Sequence, residues 1–215
     1  MTRHSTEPDF LTTARTAYDK VAVSYGDLLR DDLAGNPFDR HVLGLFADLV
    51  TGRVADVGCG TGRITGFLRG LGVDVFGVDL SPGMLDVARH DHPDVDFEVG
   101  SMLDLAVPDG SLGGVLAWYS VIHVPWEHHP AVYAEFHRVL APGGHLLLAF
   151  HVGDVVRRLR QGYGHDIELD VYRLQPHDVV AQLVAAGFEP HTTAVREPHG
   201  GVSAPQGCVL VRKPD

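Results

Sequence analysis

Between Phe10 and Leu33 the apolar residues Tyr18, Val21, Ala22, Tyr25, Leu28 and Leu29 recur at three- and four-residue intervals, which predicts one apolar helix face. Gly35-Asn36-Pro37 breaks that pattern, and a second helix is expected from about Phe38 to Val50. The rhythm then changes. Short apolar runs at Val54–Val57, Val75–Val78, Val95–Val99, Gly114–Trp118 and Leu146–Phe150 have the length of buried strands and alternate with helical stretches. Strands joined through helices run parallel, so the chain predicts an α/β fold with a doubly wound sheet. Pro176-His177-Asp178 opens a last helix that stops at Ala186-Gly187. Phe188–Val195 and Gly207–Arg212 then predict a closing hairpin, giving a seven-stranded, mostly parallel sheet with one antiparallel strand. The interval at about 151–175 departs from this order and is read as an insertion. It holds Arg157, Arg158 and Arg160, Gly162 and Gly164, and the alternating run Ile167–Tyr172.

Composition narrows the partners. A chain of 215 residues suffices for one domain with a sizeable core. Its formal charge of −11, with no basic run, argues against nucleic acid. Two cysteines make no disulfide framework, and no apolar window is long enough to span a membrane. The 14 histidines lack HExxH or Cys/His ligand spacing, so no metal site is expected. The N-terminal residues carry no apolar signal region and are read as disordered. These features predict a soluble cytoplasmic protein, with no membrane or nucleic-acid partner, acting on something small.

The chemistry centres on Val54-Ala55-Asp56-Val57-Gly58-Cys59-Gly60-Thr61-Gly62-Arg63, a strand running into a glycine turn and a helix. A second strand ends in Asp79. A glycine turn lets a ligand approach the backbone, and an acid at the next strand tip accepts hydrogen bonds from both ribose hydroxyls. The spacing is G-x-G-x-G, and Asp56 precedes it. That acid opposes a pyrophosphate and suits a ligand carrying an ammonium group.

This segment resembles the first motif of the class I S-adenosylmethionine-dependent methyltransferases, of the compact, metal-independent small-molecule type. Four further stretches follow in the family's order: Val78-Asp79, Val95–Met102, Gly114–His123 and Val139–Leu148. Tyr18-Asp19-Lys20-Val21-Ala22-Val23-Ser24-Tyr25 resembles the Y-D-x-x-A-x-x-Y lid helix of many members. The resemblance implies a Rossmann-like fold, with N-terminal lid helices in residues 1–50 and a cofactor-binding core in 51–215. It implies S-adenosylmethionine as cofactor, S-adenosylhomocysteine as product and a small-molecule methyl acceptor, in a monomer or homodimer. The cofactor residues it implies are Tyr25, Asp56, Gly58, Cys59, Gly60, Gly62, Arg63, Asp79, Leu80, Met84, Gly100, Ser101, Met102, Tyr119 and Ser120. Cys59 is expected to pack rather than react.

An acceptor that loses a proton needs a base near the methyl group. His123, just past the fourth strand, is the first candidate, His151 the second and His165 the third. His123 is read equally as a packing residue bonded to backbone. Tyr18 joins the catalytic candidates from the lid helix. The arginine cluster is read as a solvated helix face ahead of an anion site. The alternative functions are a non-catalytic S-adenosylmethionine-binding protein and other chemistry on the same fold.

Overall fold

The computed structural model describes residues 8–198 and 203–215; the N-terminal stretch read as disordered lies largely outside the described residues. Helix α1 spans Asp9–Leu29 and α2 spans Pro37–Leu49, with Asn36 capping α2 by accepting the Asp39 N–H. Then come β1 (Val54–Val57), α3 (Arg63–Gly70), β2 (Val75–Asp79), α4 (Pro82–Asp91), β3 (Phe97–Val99) and β4 (Leu112–Trp118). After these follow α5 (His129–Val139), β5 (Leu140–His151), β6 (Val156–Gly162), β7 (His165–Tyr172), α6 (Pro176–Ala185), β8 (Glu189–Arg196) and β9 (Gln206–Arg212).

Seven strands form one sheet in the order β3-β2-β1-β4-β5-β9-β8. Pairings among the first five are parallel, and β9 runs antiparallel to both neighbours, as the sequence predicts. Strand order reverses between β1 and β4, which places a crevice at the carboxyl ends of those strands. β1 and β4 are buried on both faces, which is why they read as continuous apolar runs. Tyr133, Phe136 and Leu183 pack on one face of the sheet; Leu43, Phe46 and Leu68 pack on the other. Leu43 and Phe46 are fully buried, each contributing about 2 kcal/mol of apolar burial. Thus α2 is mainly a core helix, and α1 is the element that lies over the crevice.

The interval 151–175 is a β-hairpin, β6–β7, that pairs with no strand of the main sheet. The Arg157–Arg160 segment is therefore a strand, not the expected helix face. Its alternating run buries Ile167 and Leu169 against Ala14, Ala17 and Val21 of α1, and Met84 of α4 meets the same cluster. Polar ties add direction: Lys20 Nζ donates to the Asp166 carbonyl (2.6 Å), and the His165 ring lies 3.0 Å from Ser24 Oγ. At the other side of α1, Asp19 Oδ1 accepts from Ser81 Oγ (2.6 Å) and from Gly83 N–H (2.9 Å) at the start of α4. No described helix is long and apolar enough to cross a membrane.

Candidate active site

The glycine turn follows directly from β1. Gly58, Gly60 and Gly62 all have positive φ, and a Cβ on Gly58 would stand 2.2 Å from the Ser120 Cβ. Only glycine fits there, because Ser120 sits against the turn with its Oγ donating to the Val57 carbonyl at 2.7 Å. A Cβ on Gly60 would enter the open space below Tyr25, 3.9 Å from its ring. Gly62 caps α3 and packs on Phe97 instead of facing the crevice.

Asp79 ends β2 beside this turn. Its Oδ2 accepts the Gly60 N–H (2.8 Å) and its Oδ1 the Ser81 N–H (2.9 Å). Burial nevertheless holds its carboxyl above the usual carboxylate range. Each oxygen accepts one bond and has capacity for another, and Asp79 lines the crevice, as a ribose diol requires. Leu80, Met84, Gly100 and Met102 supply apolar wall around it. This donor set and open turn fit an adenosine-bearing ligand, and the acids fit a phosphate-free one.

Asp56 lies beneath the turn, not on the crevice wall. It is 1 % exposed, its Oδ2 accepts from Thr65 Oγ1 (2.6 Å), and its Oδ1 is buried without a partner. Burial pushes its pKa up to about 7. Cys59 is buried, with its thiol raised by desolvation, and packs against Gly77, Leu85 and Phe97. Ser101 is turned into its own loop, where Oγ accepts the Leu103 N–H (3.2 Å). Arg63 does not reach the cavity over the turn; it borders the larger cavity beside it and pairs with Asp32 at 3.4 Å.

Two cavities meet at this end of the sheet. The first, about 80 Å³, lies over the turn and Asp79, roofed by Phe10, Leu11, Ala14 and Arg15 of α1. The second, about 660 Å³, opens between α1, the hairpin and the ends of β4 and β5. Tyr18, Tyr25, Trp118, Tyr119 and His123 line both. The sequence does not single out Phe10, Leu11, Ala14 and Arg15 because they belong to the apolar face of an amphipathic helix. Val124 is hidden in the same way, in a loop.

At the junction the Tyr18 hydroxyl is 2.6 Å from His123 Nε2, and His123 Nδ1 is 3.1 Å from the Asp170 carbonyl of β7. A carbonyl only accepts, so Nδ1 carries the hydrogen and Nε2 accepts from Tyr18. Burial lowers the His123 pKa to about 4, leaving the ring neutral at physiological pH. Burial, with Tyr25, Tyr163 and Asp79 nearby, raises that of Tyr18. His151 faces the larger cavity against the Tyr119 ring, 5.1 Å between centroids. His165 is directed at α1 through Ser24 rather than into either cavity. Tyr119 and Tyr163 both line the larger cavity and both have φ of 54°, a conformation costing on the order of 1 kcal/mol or more in each. No cluster of three metal-ligating side chains occurs among the described residues.

Residues 54–144 match the family model of a methyltransferase domain. The chain is 34% identical over 110 residues to the malonyl-[acyl-carrier protein] O-methyltransferase of Serratia marcescens, covering 51% of this chain and 42% of that one. It is 35% identical over 119 residues to the ubiquinone biosynthesis O-methyltransferase of Xanthomonas oryzae pv. oryzae, covering 53% and 49% respectively. It spans less than half the length of either relative. In three dimensions it is similar to the 1,6-didemethyltoxoflavin-N1-methyltransferase of Burkholderia thailandensis, with a TM-score of 0.75 at 20% identity over 100% of this chain and 94% of that one. That structure carries 1,6-didemethyltoxoflavin and S-adenosylhomocysteine.

Proposed function

The chain belongs to the class I S-adenosylmethionine-dependent methyltransferases, and we propose that it moves a methyl group from S-adenosylmethionine to an oxygen or nitrogen of a small molecule. The observation that carries this reading is the junction of two cavities at Tyr18 and His123, one over the ribose-type acid and one open to an acceptor. A methyl group held over the glycine turn and a nucleophile entering from the larger cavity meet at that pair.

When bound, the cofactor supplies an electrophilic methyl carbon, and the carbon–sulfur electron pair stays on sulfur as the acceptor's lone pair forms the new bond. Asp79 would hold the ribose hydroxyls, its carboxylate fixed in place by the Gly60 and Ser81 N–H groups. Asp56, its pKa raised to about 7 by burial beneath the turn, would be held ionised by an ammonium bound above it. α1 closes over the site and excludes water, so much of the rate comes from holding the reactants in contact.

The acceptor proton leaves through Tyr18. Its hydroxyl accepts that proton and passes its own to His123 Nε2, the nitrogen that the Asp170 carbonyl leaves unprotonated. Tyr18 relays rather than ionises, because burial resists a phenolate. His123 is neutral above about pH 4, so its Nε2 lone pair is available; the same burial makes it a weak base, which suits passing the proton on rather than storing it. His151 is farther along the acceptor cavity.

The test is calorimetric titration with S-adenosylmethionine, with NADH and Asp79→Ala as controls, followed by a methyl-transfer screen of phenols, acids and amines. Binding lost in the variant, absent for NADH and followed by turnover supports the proposal. No binding by the intact protein sinks it. Binding without turnover on any acceptor class leaves the non-catalytic alternative standing in its place.

A further inference from the structure

The larger cavity carries charge that proton transfer does not use. Arg157 of β6 and Arg173, one residue past β7, both line it, and neither takes an acidic partner among the described residues. The other two arginines of the cavity are neutralised: Arg63 pairs with Asp32 (3.4 Å), and Arg196 with Asp39 (3.6 Å). Asp31 stands with those pairs on the side of the loop before α2. The charge therefore divides, with two ion pairs and one further acid toward α2 and two uncompensated guanidiniums toward the hairpin.

Arg157 pairs with Val171 and Arg173 with Val155, so both arginines lie on one face of the hairpin, the face that borders this cavity opposite His151. The pKa of His151 is depressed first by burial and then by Arg173 and Arg157. Its Nδ1 is buried with no hydrogen-bond partner. A buried donor or acceptor without a partner is costly, so the ring of His151, which borders the cavity, has hydrogen-bonding capacity the protein leaves unused. Aromatic side chains complete the lining. Tyr25 contacts Tyr18 and Tyr163 on the lid side, at centroid distances of 6.0 and 4.9 Å. Trp118 and Tyr119 meet at 5.7 Å on the sheet side. The cavity thus has π surface near Tyr18 and His123 and positive charge near the hairpin.

We propose that the acceptor is an aromatic carboxylic acid, its carboxylate held by Arg157, Arg173 and His151 and its ring directed along the tyrosines toward Tyr18 and His123. Guanidinium pairs with carboxylate through charge-assisted, planar hydrogen bonds, which an ester or amide cannot replace. An acidic protein with 28 Asp and Glu against 17 Lys and Arg repels anions in general, so a local pair of uncompensated arginines selects where an anion enters. The proposal rests on the methyl-transfer reading for which end of the acceptor reacts. The anion site itself does not.

The test is a binding experiment on the full chain, with and without S-adenosylhomocysteine. The probes are three acids (4-hydroxybenzoate, 4-hydroxycinnamate and 6-hydroxy-2-naphthoate), each beside its neutral methyl ester. At least one acid is expected to bind about tenfold or more tightly than its ester, with affinity falling as salt rises. Arg173→Gln and Arg157→Gln should each weaken the acid about tenfold and leave the ester unchanged. Arg158→Gln is the internal control, because Arg158 pairs with Asp170 (2.9 Å) and does not line this cavity. Thermal melts check that each variant folds. Equal binding of acid and ester, insensitivity to both arginine variants, or no binding of any acid overturns the proposal. S-adenosylmethionine titrated into the same samples separates the two claims. Cofactor binding without acid binding defeats only the anion site, and acid binding without cofactor binding defeats only the methyltransferase reading.

Discussion

The Tyr18 hydroxyl donates to His123 Nε2 across 2.6 Å, joining a helix at the start of the chain to the loop after the fourth strand. Its direction is fixed from a third element, since the Asp170 carbonyl takes the Nδ1 hydrogen. Three segments far apart in sequence are therefore needed to present one lone pair. Tyr18→Phe keeps the ring packing and removes the relay. We expect kcat to fall about ten- to a hundredfold and cofactor affinity to hold, with His123→Ala costing a hundredfold or more. Steady-state kinetics beside cofactor titration decide it, and full turnover in both variants would remove the pair from the mechanism.

The same histidine makes a pH prediction. Its folded pKa is about 4, against about 6.5 unfolded. Between those values the unfolded chain binds a proton that the folded one refuses. Stability is thus unimpaired above pH 6.5 and declines as pH falls toward 4. Melting temperature should drop over that window and drop less in His123→Gln. The activity plateau should extend below pH 6, whereas an acid limb centred at 6.5 would show that a different base operates.

Asp56 titrates in the opposite sense. Its carboxyl is raised to about 7 from an ordinary value near 3.8. Between pH 4 and 7 the folded chain keeps a proton that the unfolded chain has lost, so this group's contribution falls as pH rises. Asp56→Asn retains an acceptor for Thr65 and should stabilise the protein by on the order of a few kcal/mol at pH 8, but hardly at pH 4. An ammonium arriving nearby lowers that pKa, so cofactor binding at pH 7 should release a proton. Calorimetry in two buffers of different ionisation enthalpy measures it. Zero release would disconnect Asp56 from the ligand.

Much of this was legible in the sequence where local pattern and chemistry coincide. The turn at Gly58, Gly60 and Gly62 and the acid at Asp79 stand at fixed offsets from strands that the apolar runs announce. The sheet and its antiparallel β9 follow from the same runs. The hairpin was not legible as a partner of α1, since Ile167 and Leu169 disclose their alternation but not the surface they cover. Asp170 enters the site through its backbone carbonyl, which no side-chain pattern encodes. The apolar run places Asp56 on β1, but a strand residue alternates faces, and its carboxylate turns under α3 to Thr65.

Asp19 sets how firmly the lid is held. Its Oδ1 accepts from Ser81 Oγ and Gly83 N–H, placing a carboxylate from α1 on the positive end of α4. Ser81 also caps α4 through the Met84 N–H, so that helix keeps its own cap when Asp19 is removed. The apolar contacts of Ala14, Ala17 and Val21 remain as well. Asp19→Ala should therefore loosen α1 without unfolding the core. Losing a capping-type interaction costs about 1 kcal/mol, which for a chain of this size lowers the melting temperature by about 2–4 °C. Hydrogen exchange should speed up across residues 9–29 and stay unchanged in β1 and β4. The cavity over Asp79 is about 80 Å³ with α1 in place, far below the roughly 300–1,000 Å³ of a site that admits a ligand of this size. The space under α1 must widen to admit the cofactor, and Asp19→Ala makes that easier. Product release should quicken and KM for the cofactor should rise, with kcat increasing wherever release limits it. Unchanged exchange in α1 together with unchanged KM would show that apolar packing alone governs the lid.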